Sequence, residues 1–150
     1  MNGLQLEDVV DQLGLERFHF AQERRYQDAL GELAAGRKAS HWMWFIFPQL
    51  RALGRSETAK YYGIADLEEA QDYVADPVLG PRLRACATAV LAHPEKPIEE
   101  IMGKVDALKL RSSMTLFNVA GEAAVFGQVL DTFYGGMPCS KTLSLISKEI

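Results

Sequence analysis

Two stretches of the chain set groups capable of chemistry inside apolar sequence. The first is SHWMWFIFPQL at residues 40–50, which holds both tryptophans and two of the seven phenylalanines and follows directly on Arg37 and Lys38. Guanidinium and ammonium groups bind phosphate, indole faces stack on flat rings or cations, and the imidazole of His41 has an ordinary pKa close to neutrality. In that pattern Arg37, Lys38 and His41 stand at the mouth of a pocket walled by Trp42 or Trp44, suited to an anionic ligand with a flat ring. His41 is then the acid/base candidate. The competing reading is structural: a short buried helix capped by Ser40 and stopped before Pro48, whose aromatic rings nucleate the core.

The second stretch is KLRSSMTLF at residues 109–117, with Asp106 just before it. Asp106, Lys109 and Ser113 lie at i, i+3 and i+7, with Ser112 between, so on a helix they share one face of an otherwise apolar element. Such a face makes a polar cleft wall. It equally suits a structural role, with Lys109 paired to a neighbouring carboxylate and the hydroxyls bonded back to carbonyls four residues earlier. A Ser–Lys nucleophilic pair from Ser113 and Lys109 would also need an oxyanion hole and a desolvated lysine. The three histidines are scattered without metal-ligand spacing, and Gly121, Gly127, Gly135 and Gly136 form neither GxGxxG nor a P-loop. No metal, no cofactor and no known catalytic motif is expected.

Helices are what must position these groups. Leu and Ala far outnumber Val, Ile and Thr, a helical bias. Leu6, Val9, Val10 and Leu13 suggest one short helix and Leu15 with Phe18 a second, reaching about Gln22. Tyr26, Ala29, Leu30, Leu33 and Ala34 form a clean stripe ended by Gly36. Ser56 reads as the cap of a short helix entered from the loop Leu53-Gly54-Arg55, for which a structural role is expected. Asp66 and Glu69 have capping-box spacing for a helix ending near Ala75, and Asp76-Pro77 begins the next, which His93-Pro94 ends. Over 104–118 the apolar residues fall on two rows: Val105, Leu108 and Val119, and Ala107, Leu110, Met114 and Phe117. A helix apolar on most sides is expected at the centre of the core. A further stripe runs from Ala123 to Tyr134, and Ser140 is expected to cap a last helix carrying Leu143 and Ile146. The fold class is all-α: a compact single domain over residues 1–150, with seven to nine helices, several short, and not a regular four-helix bundle.

A chain of 150 residues can bury a core without disulfide or metal staples. Its net charge of −4 argues against nucleic acid as the main partner. The acidic start lacks the basic and apolar segments of an export signal, and no apolar run is long enough for a membrane span. Cys86 and Cys139 read as free thiols in a cytoplasmic protein.

Through SHWMWFIFPQL, DPVLGPRL (76–83) and KLRSSMTLF, the sequence resembles, over about 15–145, a bacterial family of unknown function whose members are often labelled calpastatin-like. The resemblance implies a mainly helical cytoplasmic domain without a known cofactor, and no reaction. Its most recognisable positions are Gly36, Lys38, Ser40, His41, Trp42, Trp44, Phe45, Pro48 and Gln49, then Leu79, Gly80, Arg82 and Leu83, then Asp106, Lys109, Ser112, Ser113, Thr115, Leu116 and Phe117. Members commonly carry an acidic residue where this chain has Cys139 and a histidine near Asp76, so roles tied to those positions do not transfer. Calpain inhibition is discarded, because inhibitors of that name resemble disordered polar chains and this one is 48% hydrophobic.

Two functional readings follow. One is a small-molecule site, binding or enzymatic, in a cleft between residues 37–49 and 106–115, where Arg37, Lys38, His41, Trp42, Trp44, Asp106, Lys109, Ser112 and Ser113 face an anionic, phosphate-bearing ligand. The other is a non-catalytic protein-interaction module that uses an exposed patch of the aromatic block or the C-terminal helix.

Overall fold

The fold, a computed structural model, is described for Val10 and residues 13–149. Those residues form an all-α architecture of nine α-helices and one 3-10 turn: α1 (Glu16–Ala34), α2 (Met43–Ile46), the turn Arg51–Leu53, α3 (Glu57–Tyr61), α4 (Leu67–Ala75), α5 (Leu79–Leu91), α6 (Ile98–Met102), α7 (Lys104–Ala120), α8 (Ala124–Phe133) and α9 (Ser140–Ser147). Leu6 and Val9, expected in a first short helix, lie outside the described residues.

Several ends form as the sequence predicts. Gly36 takes a φ of +78° after α1, the Ser56 hydroxyl accepts from Ala59 N at 3.1 Å, and Asp66 Oδ1 accepts from Glu69 N at 2.9 Å. Asp76 Oδ1 accepts from both Val78 N and Leu79 N, so it caps α5 although the helix proper starts at Leu79 rather than Pro77. Others differ. The two helices expected on either side of Gln22 are one helix of 19 residues, α1. Nothing between them is a breaker, and Gln22 lies on the inner face with its amide satisfied by the Phe45 carbonyl at 2.7 Å and the Tyr73 hydroxyl at 2.9 Å. Ser40 does not cap α2, because its amide and hydroxyl both donate to Glu32. Ser140 is the first helical residue of α9, with Cys139 in the capping position. In α9 Thr142 and Ile146 are buried, and Leu143 is left partly exposed.

The core is one continuous cluster. α7 is its hub, packed by α4, α6, α8 and α9, while α1 lies on α2 and α5, and α5 on α4 and α8. Ala107, Leu110, Met114 and Phe117 face inward as expected. The other predicted row does not: Val105 and Leu108 are 65% and 66% exposed, and Val119 is 43% exposed. Among the described residues no helix buries that face of α7 at its first two turns, and the candidate site lies there.

Two devices fix the strip opposite it. Residues 49–51 meet 63–64 through a parallel bridge, with Arg51 N donating to Ile64 O and Ile64 N to Gln49 O, both at 2.8 Å. The approach needs a glycine at 63, since a Cβ there would lie 2.4 Å from Arg51 Cα. Behind it the buried Arg17 donates from Nε to Tyr61 O and from Nη2 to Gly63 O and Glu69 Oε1, each at 2.8 Å, and from Nη1 to Gly14 O. A guanidinium with a carboxylate partner and carbonyl acceptors is among the few ways a cation is held inside a core.

Candidate functional site

Beside the uncovered face of α7 opens a cleft of about 600 Å³, within the range of small-ligand sites. One wall is the strip from Gln49 through Leu53, Gly54, Arg55 and Ser56 to Ala59; the other is Val105, Leu108, Lys109 and Ser112 on α7; Cys139 and Lys141 at the start of α9 complete it. Among the described residues three cations line this space and no carboxylate does. Arg55 and Lys141 have no ion-pair partner among the described residues, and Lys109 Nζ is 4.0 Å from Asp106 Oδ1, the limit of an ion pair. A protein of net charge −4 thus presents a locally positive concavity, whose low-dielectric walls strengthen its field.

The Cys139 end is built by the middle of α7. Thr115 Oγ1 accepts from Cys139 N at 2.9 Å, and Arg111 Nε donates to Met137 O at 2.8 Å, so the chain entering α9 is held against α7. Ser112 Oγ then lies 3.5 Å from Cys139 Sγ. Burial pushes the Cys139 thiol up, but the lowering influence of the Ser112 and Thr142 side chains and of the Thr142 and Lys141 N–H groups outweighs it and holds the thiol below its usual range. Cys86 is the opposite case: burial inside α5 pushes its thiol up to about 12, against the lowering influence of Arg82.

Of the nine residues the sequence singled out, Lys109 and Ser112 line the cleft. Trp44 stands next to it, bounding with Lys109 and Gln49 a recess of only about 10 Å³, and Lys109 Nζ sits 5.7 Å from its ring centroid. The two segments expected to form the mouth do meet, but their junction is closed. Lys38 Nζ pairs with Asp106 Oδ2 at 3.0 Å, donates to the Ser40 carbonyl and lies 4.8 Å over the Trp42 ring. Trp42 is wholly buried, its Nε1 donating to Glu32 Oε1 at 2.9 Å, so it walls no pocket. Glu32 also accepts from Ala39 N, Ser40 N and the Ser40 hydroxyl; burial pushes its carboxyl up, and these four hydrogen bonds outweigh that and bring it down to about 2.

Arg37 is exposed and borders a different hollow, with Lys96 and Glu100. His41 is exposed and borders neither the cleft nor the recess, so the acid/base candidate stands away from the open space. Ser113 is buried in the core, and its hydroxyl has no hydrogen-bond partner. Sequence reasoning missed Arg55 and Lys141 and left Cys139 without a role. The one signal for the first two was a pair of cations beside small residues at helix starts, Gly54-Arg55-Ser56 and Ser140-Lys141.

The described residues hold no group of three or more His, Cys, Asp or Glu side chains able to bind a metal, and no helix among them is long and apolar enough to cross a membrane. The all-α fold belongs to a known family of proteins. The chain is a member of the family described as protein of unknown function DUF1810, whose model matches residues 12–146. It is similar to a solved structure, the conserved hypothetical protein Rv1873 from Mycobacterium tuberculosis, with 48% identity, a TM-score of 0.88, and 91% of this chain and 98% of that one covered. No curated protein matches. Both findings come without a function, so the calpastatin-like label gains nothing from them, nor does bacterial origin beyond the source of that neighbour.

Proposed function

We propose that the protein binds a small anionic, phosphate-bearing molecule in the cleft between residues 49–59, the first two turns of α7 and the start of α9. The observation that carries this reading is the lining itself: Arg55, Lys109 and Lys141 line one cleft without a carboxylate among its described residues, and Lys109 and Arg55 come from opposite walls. Phosphate oxygens take the cations, and Val105, Leu108 and Leu53 offer apolar surface to the rest of the ligand. Two exposed aliphatic residues of α7 then have a reason to face solvent. With no histidine among the described residues of the lining, the reading commits to binding rather than to acid/base catalysis. Free thiols at Cys86 and Cys139 suit a protein working in the cytoplasm.

A protein-docking role for the aromatic block has less support, since Trp42, Met43, Phe45, Ile46 and Phe47 are all buried and offer no patch. The test is a thermal-shift screen against nucleotides, sugar phosphates and pyrophosphate, on the wild type and on Lys109→Gln and Lys141→Gln. At a hundredfold excess over Kd a bound ligand adds about 2.7 kcal/mol, and for a chain of this size that raises Tm by roughly 5–11 °C. Shifts shared equally by wild type and both variants, or absent for every compound, refute the reading.

A further inference from the structure

One group in the cleft is not used by anion binding. Cys139 is half-buried and lines the cleft together with Lys109 and Lys141. Ser112 Oγ is 3.5 Å from its sulfur. Thr142, wholly buried, has a hydroxyl with no hydrogen-bond partner among the described residues, and its side chain is one of the groups that lower the same thiol. A buried hydroxyl left without an acceptor is costly unless an anion arrives to take its proton, and a thiolate is such an acceptor. The two hydroxyl-bearing side chains and the two backbone N–H groups therefore favour the ionised sulfur, which is the nucleophilic form.

We propose that Cys139 is a site of reversible mixed-disulfide formation with small anionic disulfides of the glutathione class, selected by the cations of the cleft. The proposal rests on the anion-site reading of the same cleft and adds to it a covalent step and a class of reactant. The Cys139 thiolate attacks one sulfur of the incoming disulfide. A new S–S bond forms to Cys139 as the old one breaks, and the electron pair leaves with the second thiolate, which takes a proton from solvent. Cys139 is oxidised, the departing half is reduced, and a free thiol reverses the exchange. The carboxylates of the adduct sit among Arg55, Lys109 and Lys141, so the modified protein no longer accepts a phosphate-bearing ligand. Cys86, fully buried, takes no part.

The experiment follows adduct formation by intact mass and peptide mapping, using glutathione disulfide (anionic) and cystamine (cationic), each rate divided by that of β-mercaptoethanol with the same disulfide. A positively lined cleft raises encounter with an anion by about tenfold or more. The expected result is a normalised preference of at least about tenfold for glutathione disulfide, reduced in high salt and brought close to unity in the Lys109→Gln/Lys141→Gln double variant. All of the adduct maps to Cys139, and none forms in Cys139→Ser. Equal normalised rates, no adduct, or an adduct on Cys86 overturns the proposal. The two readings fail separately. A phosphate-induced thermal shift in Cys139→Ser without any disulfide preference in the wild type refutes the thiol site and leaves the anion site standing. A disulfide preference without any phosphate shift supports the thiol site and refutes the phosphate ligand.

Discussion

Replacing Lys38 with Met separates the cation that holds the fold from the cations that line the cleft. The Lys38 side chain is 8% exposed, pairs with Asp106 at 3.0 Å, donates to the Ser40 carbonyl and lies 4.8 Å from the Trp42 ring centroid. Removing one partner of a fully buried ion pair costs about 3–5 kcal/mol. Asp106 is 21% exposed and retains Lys109 at 4.0 Å, so water and the second lysine cut this loss to about 2 kcal/mol. The hydrogen bond to the carbonyl and the cation–π contact add about 1 kcal/mol together after Met replaces the packed stem. The sum is about 3 kcal/mol, or a fall in Tm of roughly 6–12 °C. Lys109→Gln loses only a marginal ion pair and a distant ring contact, and should stay within about 3 °C of the wild type. Scanning calorimetry of both variants reads this directly. A Lys38→Met protein as stable as the wild type, beside a strongly destabilised Lys109→Gln, would refute the division of roles.

Three further outcomes follow from the packing. Arg17→Met strips a buried guanidinium from the Tyr61 and Gly63 carbonyls and from Glu69, and should cost about 3–5 kcal/mol in urea unfolding; a loss below about 1 kcal/mol contradicts the network. Gly80→Ala sets a Cβ 2.1 Å from the Val74 carbonyl oxygen, so α4 and α5 must separate, and a Tm within about 2 °C of the wild type would show that this approach is not as tight as described. Glu32 is ionised at lower pH when folded than when unfolded, 4.5 falling to about 2. Its contribution is therefore full above about pH 5 and is lost as pH falls toward 2; after allowance for partial water access it amounts to about 1–2 kcal/mol. Stability measured over that window should fall less steeply in Glu32→Gln than in the wild type, and parallel profiles would count against the assignment.

Local chemistry made much of the fold readable in the sequence. Gly36, Ser56, Asp66 and Asp76 end or start helices because their backbone or side chain satisfies the groups a helix leaves open, and such signals act over three or four residues. Gln22 and Ser40 misled because what decides them is distant. Gln22 is inside because Phe45 and Tyr73 accept its amide, and Ser40 serves Glu32 rather than α2. Arg17 gave no sign of burial, since the Gly14 carbonyl, the turn at 61–63 and Glu69 together make its position tolerable.

The site was legible on one wall only. Lys109 and Ser112 could be picked out as polar residues in an apolar helix, because helical spacing fixes a shared face. The other wall and the floor come from Arg55, Cys139 and Lys141, whose approach to α7 depends on the bridge at 50 and 64 and on the Thr115–Cys139 hydrogen bond. Neighbouring tryptophans in one block took different fates, Trp42 within the core before α2 begins, held by Glu32, and Trp44 inside α2 at its margin. Exposure of Val105 and Leu108 reversed the expectation for their row because none of the described helices buries them, a fact of topology rather than of periodicity.

The most direct measurement for the central claim is an amide NMR titration of the protein with ADP as the phosphate-bearing probe, at low and at high salt. Binding in the cleft predicts saturable shift changes concentrated at Gly54, Arg55, Leu108, Lys109, Ser112, Cys139 and Lys141, weakening with added salt and lost in Lys109→Gln/Lys141→Gln. Changes confined to Arg37 and His41, or none at any of these positions, would contradict it.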